Sequence, residues 1–256
     1  MNLKAGLALL LLGACASEKR GEIEADLLPR ADADLLAENY SAAAFKYEKF
    51  LRLNPETARR AWLHSQIGVC RNGSRDYEGA LRAFDLALAA APDAVLQIRI
   101  RYRRAIANNF LDRPEPALAD LEEVRDAPSE KRGEAVKTAE FLRILGGTEI
   151  RAGFWVRGQR TIKDLIEKFP TSPEAETVRP YLALKAFTVQ LAQCADDKAA
   201  SAKVAELRSK GVSARPISWP DRTGVVVVTG EFARYPDAVR ERVRLREKGL
   251  DAFILP

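Results

Sequence analysis

The chain has a single histidine, His64, in 256 residues, and that scarcity removes whole classes of chemistry. Ser-His-Asp and Cys-His catalysis and multi-histidine metal sites each need a histidine beside particular partners. Three cysteines are too few for a disulfide framework, and Cys70 and Cys194, in apolar surroundings, read as buried free thiols. Lysine and arginine form no run that would make a nucleic-acid patch. The balance of 41 basic against 36 acidic residues leaves +5, which favours solubility and gives only a weak bias toward anionic surfaces. No apolar run reaches the roughly 20 residues that span a bilayer. Nothing calls for a metal or a cofactor, and the chain reads as a non-enzyme. Its 47% hydrophobic content is enough for a packed core, and its length suits one large domain or two small ones.

What is present begins with an address. Met1 to Lys4 make a short positive start, and Ala5 to Leu12 form an apolar stretch of signal-peptide length. Leu12-Gly13-Ala14-Cys15 follows at once. Small residues before a cysteine at that place resemble the lipobox of bacterial lipoproteins. The resemblance implies cleavage after residue 14 and a diacylated Cys15, and Ala16 favours the outer membrane, periplasmic face. Acyl chains would hold the protein at about 0.8 kcal/mol per buried methylene, so the membrane is a partner through the anchor alone. Residues 15–24 read as a tether.

Residues 25–186 carry a repeat. Tyr40, Ala43, Tyr47, Phe50 and Pro55 recur 37 positions later as Tyr77, Ala80, Phe84, Ala87 and Pro92. A third copy reads Ala117, Leu121 and Val124, with Pro128 one residue early, and a fourth reads Gly158, Ile162, Leu165 and Pro170. Twelve residues before each small anchor lies another small residue: Ala31, Gly68, Ala105 and Gly146. Two antiparallel helices approach closely where small residues meet, so Gly68 and Ala80 mark an expected crossing. Large residues one turn on fill the space between pairs, and a proline after each second helix turns the chain. The pattern resembles the tetratricopeptide repeat (TPR), with about four copies in an all-α superhelical array and Pro173 to Ala186 as a capping helix broken at Arg179-Pro180. Such arrays bind extended peptides or helices on a concave face lined by the first helices. His64, Gln66, Arg71, Arg101, Arg104 and Asn108 are the expected lining; the alternative is that they are solvated helix faces without a ligand.

From Phe187 the pattern becomes mixed. Strands are predicted over Phe187–Cys194, Val212–Trp219, Val225–Glu231 and Leu250–Leu255, with helices over Asp197–Lys210 and Pro236–Lys248. The order is β-α-β-β-α-β, and the two halves repeat at an offset of 38: Ala200, Leu207, Lys210 and Gly211 align with Ala238, Leu245, Lys248 and Gly249. Two such halves make a small α/β domain, residues 187–256, whose four-stranded sheet carries helices on one face and leaves the other open. Val189-Gln190-Leu191-Ala192-Gln193, Thr229-Gly230-Glu231-Phe232 and the closing Gly249-Leu250-Asp251-Ala252-Phe253-Ile254 resemble the SPOR domain. That resemblance implies binding to peptidoglycan glycan strands stripped of stem peptides. It departs from the family at Ala192-Gln193-Cys194, where Gly-Ser-Phe is usual, and at the Trp-x-Arg pair, whose places hold Gly224 and Val226. Trp219 and Arg222 lie a few residues earlier and could replace the pair, although Trp219 could equally be a packing residue at the domain edge. The resemblance makes Gln190, Gln193, Trp219, Arg222 and Ile254 the expected glycan contacts.

Together these features describe a lipid-anchored periplasmic adaptor that joins an envelope protein, through the repeats, to peptidoglycan at division sites. The alternative is a repeat scaffold in outer-membrane protein assembly or envelope transport. A SPOR-bearing lytic transglycosylase would need a catalytic domain for which no region is left. The anchor is tested by Cys15→Ser, which should appear as a soluble periplasmic species on fractionation; a processed mutant that stays with the membrane refutes it.

Overall fold

The structure, a computed structural model, describes residues 26–132, 139–183, 185–218 and 223–255, so the signal segment, Cys15 and the whole tether lie outside the described residues. Two compact units divide the chain after residue 133. The first holds three helix pairs among the described residues: α1 (residues 26–36) with α2 (Tyr40–Leu53), α3 (Arg60–Gly73) with α4 (Tyr77–Ala90), and α5 (Ala94–Phe110) with α6 (Pro114–Asp126), then a single turn, α7 (Ser129–Arg132). The second opens on a fourth pair, α8 (Ala139–Arg151) and α9 (Trp155–Lys168). After it come α10 (Pro173–Val178) and a 3-10 turn over Arg179–Ala183. The break at Arg179-Pro180 follows from the missing proline N–H and the crowding of the residue before it.

Helix starts are local decisions. Asp76 accepts from the Gly79 amide at 2.9 Å and Asp93 from Leu96 at 2.8 Å, opening α4 and α5. Ser172 accepts from Ala175 at 3.1 Å to open α10. Each side-chain oxygen takes an amide that the helix leaves without an internal acceptor.

The repeat register appears as packing. Ala31, Gly68, Ala105 and Gly146 on the first helices are buried, as are Ala43, Ala80, Ala117 and Gly158 on the second. One turn beyond the second set, Tyr47, Phe84, Leu121 and Ile162 are wholly inaccessible to solvent. A methyl group on Gly68 would lie 2.4 Å from the Phe84 ring, so the closest neighbour of Gly68 is this large residue, one turn past Ala80. In the fourth pair the backbones themselves approach: a methyl on Gly158 would sit 2.7 Å from the Gly146 carbonyl oxygen.

Beyond the fourth pair come β1 (Phe187–Cys194), α11 (Asp197–Ser209), β2 (Arg215–Ser218), β3 (Val225–Phe232), α12 (Tyr235–Glu247) and β4 (Phe253–Leu255). The sheet order is β2-β3-β1-β4 and every neighbouring pair is antiparallel. The offset of 38 recurs in the helix ends. Val212 N–H donates to Leu207 at 2.9 Å and Leu250 N–H to Leu245 at 3.1 Å, around Gly211 and Gly249 at φ +70° and +75°. Left-handed glycines close both helices in the same way. β2 and β4 begin later than the sequence predicts, because residues 212–214 and 250–252 lead out of those caps, with Val212 and Ala252 buried.

Phe187, Val189, Leu191 and Val227 face α11 and α12, where they meet Ala200, Leu207, Ala238 and Leu245. The same core takes in Ile150, Ile162, Leu165, Ala175 and Val178 from α8, α9 and α10. Trp155 and Phe187 have ring centroids 4.7 Å apart, Phe187 and Tyr235 5.2 Å, and the indole N–H donates to the Ala233 carbonyl at 3.0 Å. The change of pattern at residue 187 therefore falls inside a continuous core, and the compact unit begins at residue 134.

Two glycines of the fourth pair should respond oppositely to alanine. Gly158→Ala meets a backbone carbonyl and should lower the melting temperature, with a cost of about 1–3 kcal/mol. Gly147→Ala meets nothing within 4 Å and should raise it, by about 0.5–1 kcal/mol of helix propensity. Thermal melts of the two variants check the register; equal shifts would contradict it.

Candidate functional site

Sheet register decides which side chains share the face opposite α11 and α12, because directly paired residues of antiparallel strands point to one side. Gln190 pairs with Val228 and with Phe253, and Thr188 pairs with Leu255. Gln193 pairs with Val226, Arg215 with Val228 and Ile217 with Val226. These residues form the face. Ile254, expected on it, pairs with Val189 and packs into the helix-side core; its neighbour Phe253 takes the place on the face. Phe253 is 56% exposed, and the Arg246 guanidinium lies 5.8 Å from its ring centroid.

The face is not open across its width. Val226, Val228 and Leu255 are buried in a second small apolar cluster with Ile217. The four consecutive valines of β3 explain this: alternation sends Val225 and Val227 to one side and Val226 and Val228 to the other, so both sides are apolar. Gln190 is buried at the centre and has interactions of its own. The accessible groups are Phe253 and Arg215 on the two edge strands and Gln193 near the end of β1. Arg215 is ion-paired to Glu231, and Gln193 donates to the Thr223 carbonyl at 3.1 Å. Trp219 and Arg222 lie outside the described residues.

In the helical array, most of the expected lining is spent on internal contacts. Arg71 reaches Glu48 of α2 at 2.8 Å and Asp76 at 3.5 Å. Arg104 bonds Asp120 of α6 at 2.7 and 2.8 Å and Asp85 of α4 at 2.7 Å, and Arg101 reaches Asp120 at 3.2 Å. Asp120 is only 2% exposed, so its charge is stable there because two guanidinium groups close over it. The Asp120 hydrogen bonds raise the Arg104 pKa above its usual value against the opposing effect of burial. Asn108 is buried within α5. His64 is half-buried, and burial, then the Arg60 charge, lowers its pKa below 6.5, leaving it neutral at pH 7. Gln66 remains on the α3 side facing α5, where it accepts from Arg103 at 3.2 Å. Arg103 was missed, although the 37-residue offset carries Gln66 onto it.

Burial pushes the Cys70 thiol up to about 11, so it stays protonated and unreactive; Cys194 is half-buried. Among the described residues no cluster of His, Cys, Asp and Glu could hold a metal ion, and no helix is long and apolar enough to cross a membrane.

Residues 183–256 match the SPOR domain. No curated protein matches the chain. Among solved structures, a tetratricopeptide repeat protein from Parabacteroides merdae aligns with a TM-score of 0.50 and 17% identity, over 63% of this chain and 59% of that one. The chain thus spans less than two thirds of that protein. A double mutant of MamA RS-1 aligns at 0.51 and 17% identity, over 62% and 81%. Another MamA structure aligns at 0.50 and 15%, over 63% and 80%. The class is therefore a mostly helical TPR-like array followed by a four-stranded antiparallel sheet with helices, the segment that matches the SPOR domain.

Asp120 supplies a test of the internal ion network. Asp120→Ala leaves Arg101 and Arg104 facing a buried gap and should cost about 2–3 kcal/mol. Chemical denaturation measures it; a loss under about 0.5 kcal/mol, the scale of an exposed pair, would mean that the network adds nothing.

Proposed function

We propose that the protein is a lipid-anchored periplasmic adaptor: Cys15 holds it to the outer membrane, the helical array recruits an envelope protein, and the SPOR domain docks on peptidoglycan glycan strands, in cell division or envelope maintenance. The match of residues 183–256 to the SPOR domain is the observation that carries this reading. The recruiting role draws on the TPR-like fold, whose stacked first helices make a long surface for a peptide or a helix.

Glycan would be taken on the sheet face shared by Gln190, Gln193, Arg215 and Phe253. Sugar C–H faces stack on an aromatic ring, and amides and guanidinium groups bond hydroxyl and N-acetyl oxygens. Phe253 supplies a ring where the family's third-strand tryptophan is missing. Gln193 near the end of β1 and Arg215 on the edge strand β2 supply donors, Gln190 an amide at the centre, and Trp219 and Arg222 further groups from the segment before β3.

The experiment is cosedimentation of the full chain from residue 16 with purified sacculi, native and amidase-treated to strip stem peptides. Binding should be stronger to the stripped material. Phe253→Ala and Gln193→Ala should each weaken it from a few-fold to about tenfold, the worth of one stacking or hydrogen-bonding contact, with unchanged circular dichroism. A folded wild-type chain that ignores both preparations would refute the glycan reading.

A further inference from the structure

Arginines are numerous in α5, and their partners separate them into two groups. Arg101 and Arg104 end on carboxylates of α4 and α6. Arg103 points the other way, across to α3, where its Nη1 donates to Ser65 Oγ and to Gln66 Oε1, each at 3.2 Å. Both acceptors are neutral. Among the described residues no carboxylate pairs with Arg103, although the side chain is mostly buried between the two helices. Burial, and after it the charge of Arg99, lowers its pKa from the ordinary arginine value. Arg99 lies one turn earlier on the same helix face, is exposed, and has no carboxylate of its own among the described residues. Cations at i and i+4 repel. The array thus holds two positive charges side by side on its first-helix layer, one of them partly desolvated, while the neighbouring arginines are neutralised internally.

A guanidinium drawn out of water is costly until an anion meets it, and a carboxylate offers the bidentate geometry that Ser65 and Gln66 lack. We propose that the surface where α3 and α5 meet binds an acidic segment of a protein partner, one carboxylate engaging Arg103 and a neighbouring one Arg99. This rests on the recruiting role given to the array and adds the chemistry of what it recruits. Charge complementarity selects the occupant: the site is positive by two and lies on stacked helices rather than in a phosphate-sized cradle.

The test uses the full chain from residue 16 and fluorescein-labelled hexaglutamate, read by anisotropy at low salt, with hexaserine and inorganic phosphate as competitors. Hexaglutamate should bind and neither competitor should displace it. Arg103→Met should weaken binding by about tenfold or more and Arg99→Gln by a few-fold, because a desolvated charge contributes more than an exposed one. Arg113→Gln removes the same charge from an exposed pair with Glu78 and should leave binding unchanged. Arg103→Met should melt no lower than the parent, since it removes a charge without a counter-ion. Equal losses in all three variants would reduce the effect to net charge and overturn the proposal. So would absent hexaglutamate binding, displacement by phosphate, or a lower melting temperature for Arg103→Met, which would make the residue a structural strut. In cells, crosslinking separates the two levels. A captured partner that Arg103→Met retains equally sinks the acidic-segment inference and leaves recruitment standing. Capture of no protein by the parent chain sinks recruitment itself.

Discussion

Where the two helices of a pair cross, there is room for a glycine or an alanine and little else, and the spacing of the four copies follows from that restriction. The restriction is steric. At Gly158 the obstacle to a methyl group is the Gly146 carbonyl, which cannot swing aside as a side chain would. At Gly68 it is the ring of Phe84, itself fully buried. Small residues set the distance between helices, that distance sets the volume one turn further on, and Tyr47, Phe84, Leu121 and Ile162 fill it. The copies vary in the filling side chain because volume matters there more than shape.

Close helices also bring charged residues together. Asp120 is shut in by Arg101 and Arg104, Glu48 is held by Arg71, and Glu149 on α8 accepts from Thr161 at 2.6 Å and pairs with Arg157 at 2.9 Å. These contacts tie first helices to second helices within and between pairs. Desolvation offsets much of their Coulomb gain. Their consequence for recognition is subtractive: an arginine closed on an internal carboxylate is not offered to a partner.

That subtraction marks where reading the sequence fell short. The offsets of 37 and 38, the small positions and the glycine stops are properties of the chain itself, and all of them can be counted without coordinates. Which arginine of α5 faces outward depends on carboxylates 16 or 19 residues away on other helices, and helical period alone does not locate them. The sheet shows the same division. Alternation in β1 separates Val189 from Gln190, but the face of β4 depends on pairing register, and a shift of one residue exchanges Phe253 with Ile254. The irregularity between Gln190 and Ala192 interrupts the period of two in β1 as well. The valine run of β3 is plain in the sequence; that it makes both sides of the sheet apolar follows only once helices are known to cover one of them.

The aromatic cluster of Trp155, Phe187 and Tyr235 has a bearing on inheritance. Three rings drawn from α9, β1 and α12 close one core, so a chain joined to a foreign array at residue 187 would arrive with Phe187 stripped of the indole that covers it. A viable chimera has to carry the fourth helix pair along with the sheet, with its seam near residue 133. The portable piece of this protein is thus larger than its matched family segment, and its first two helices, though written in the language of the repeats, travel with the sheet.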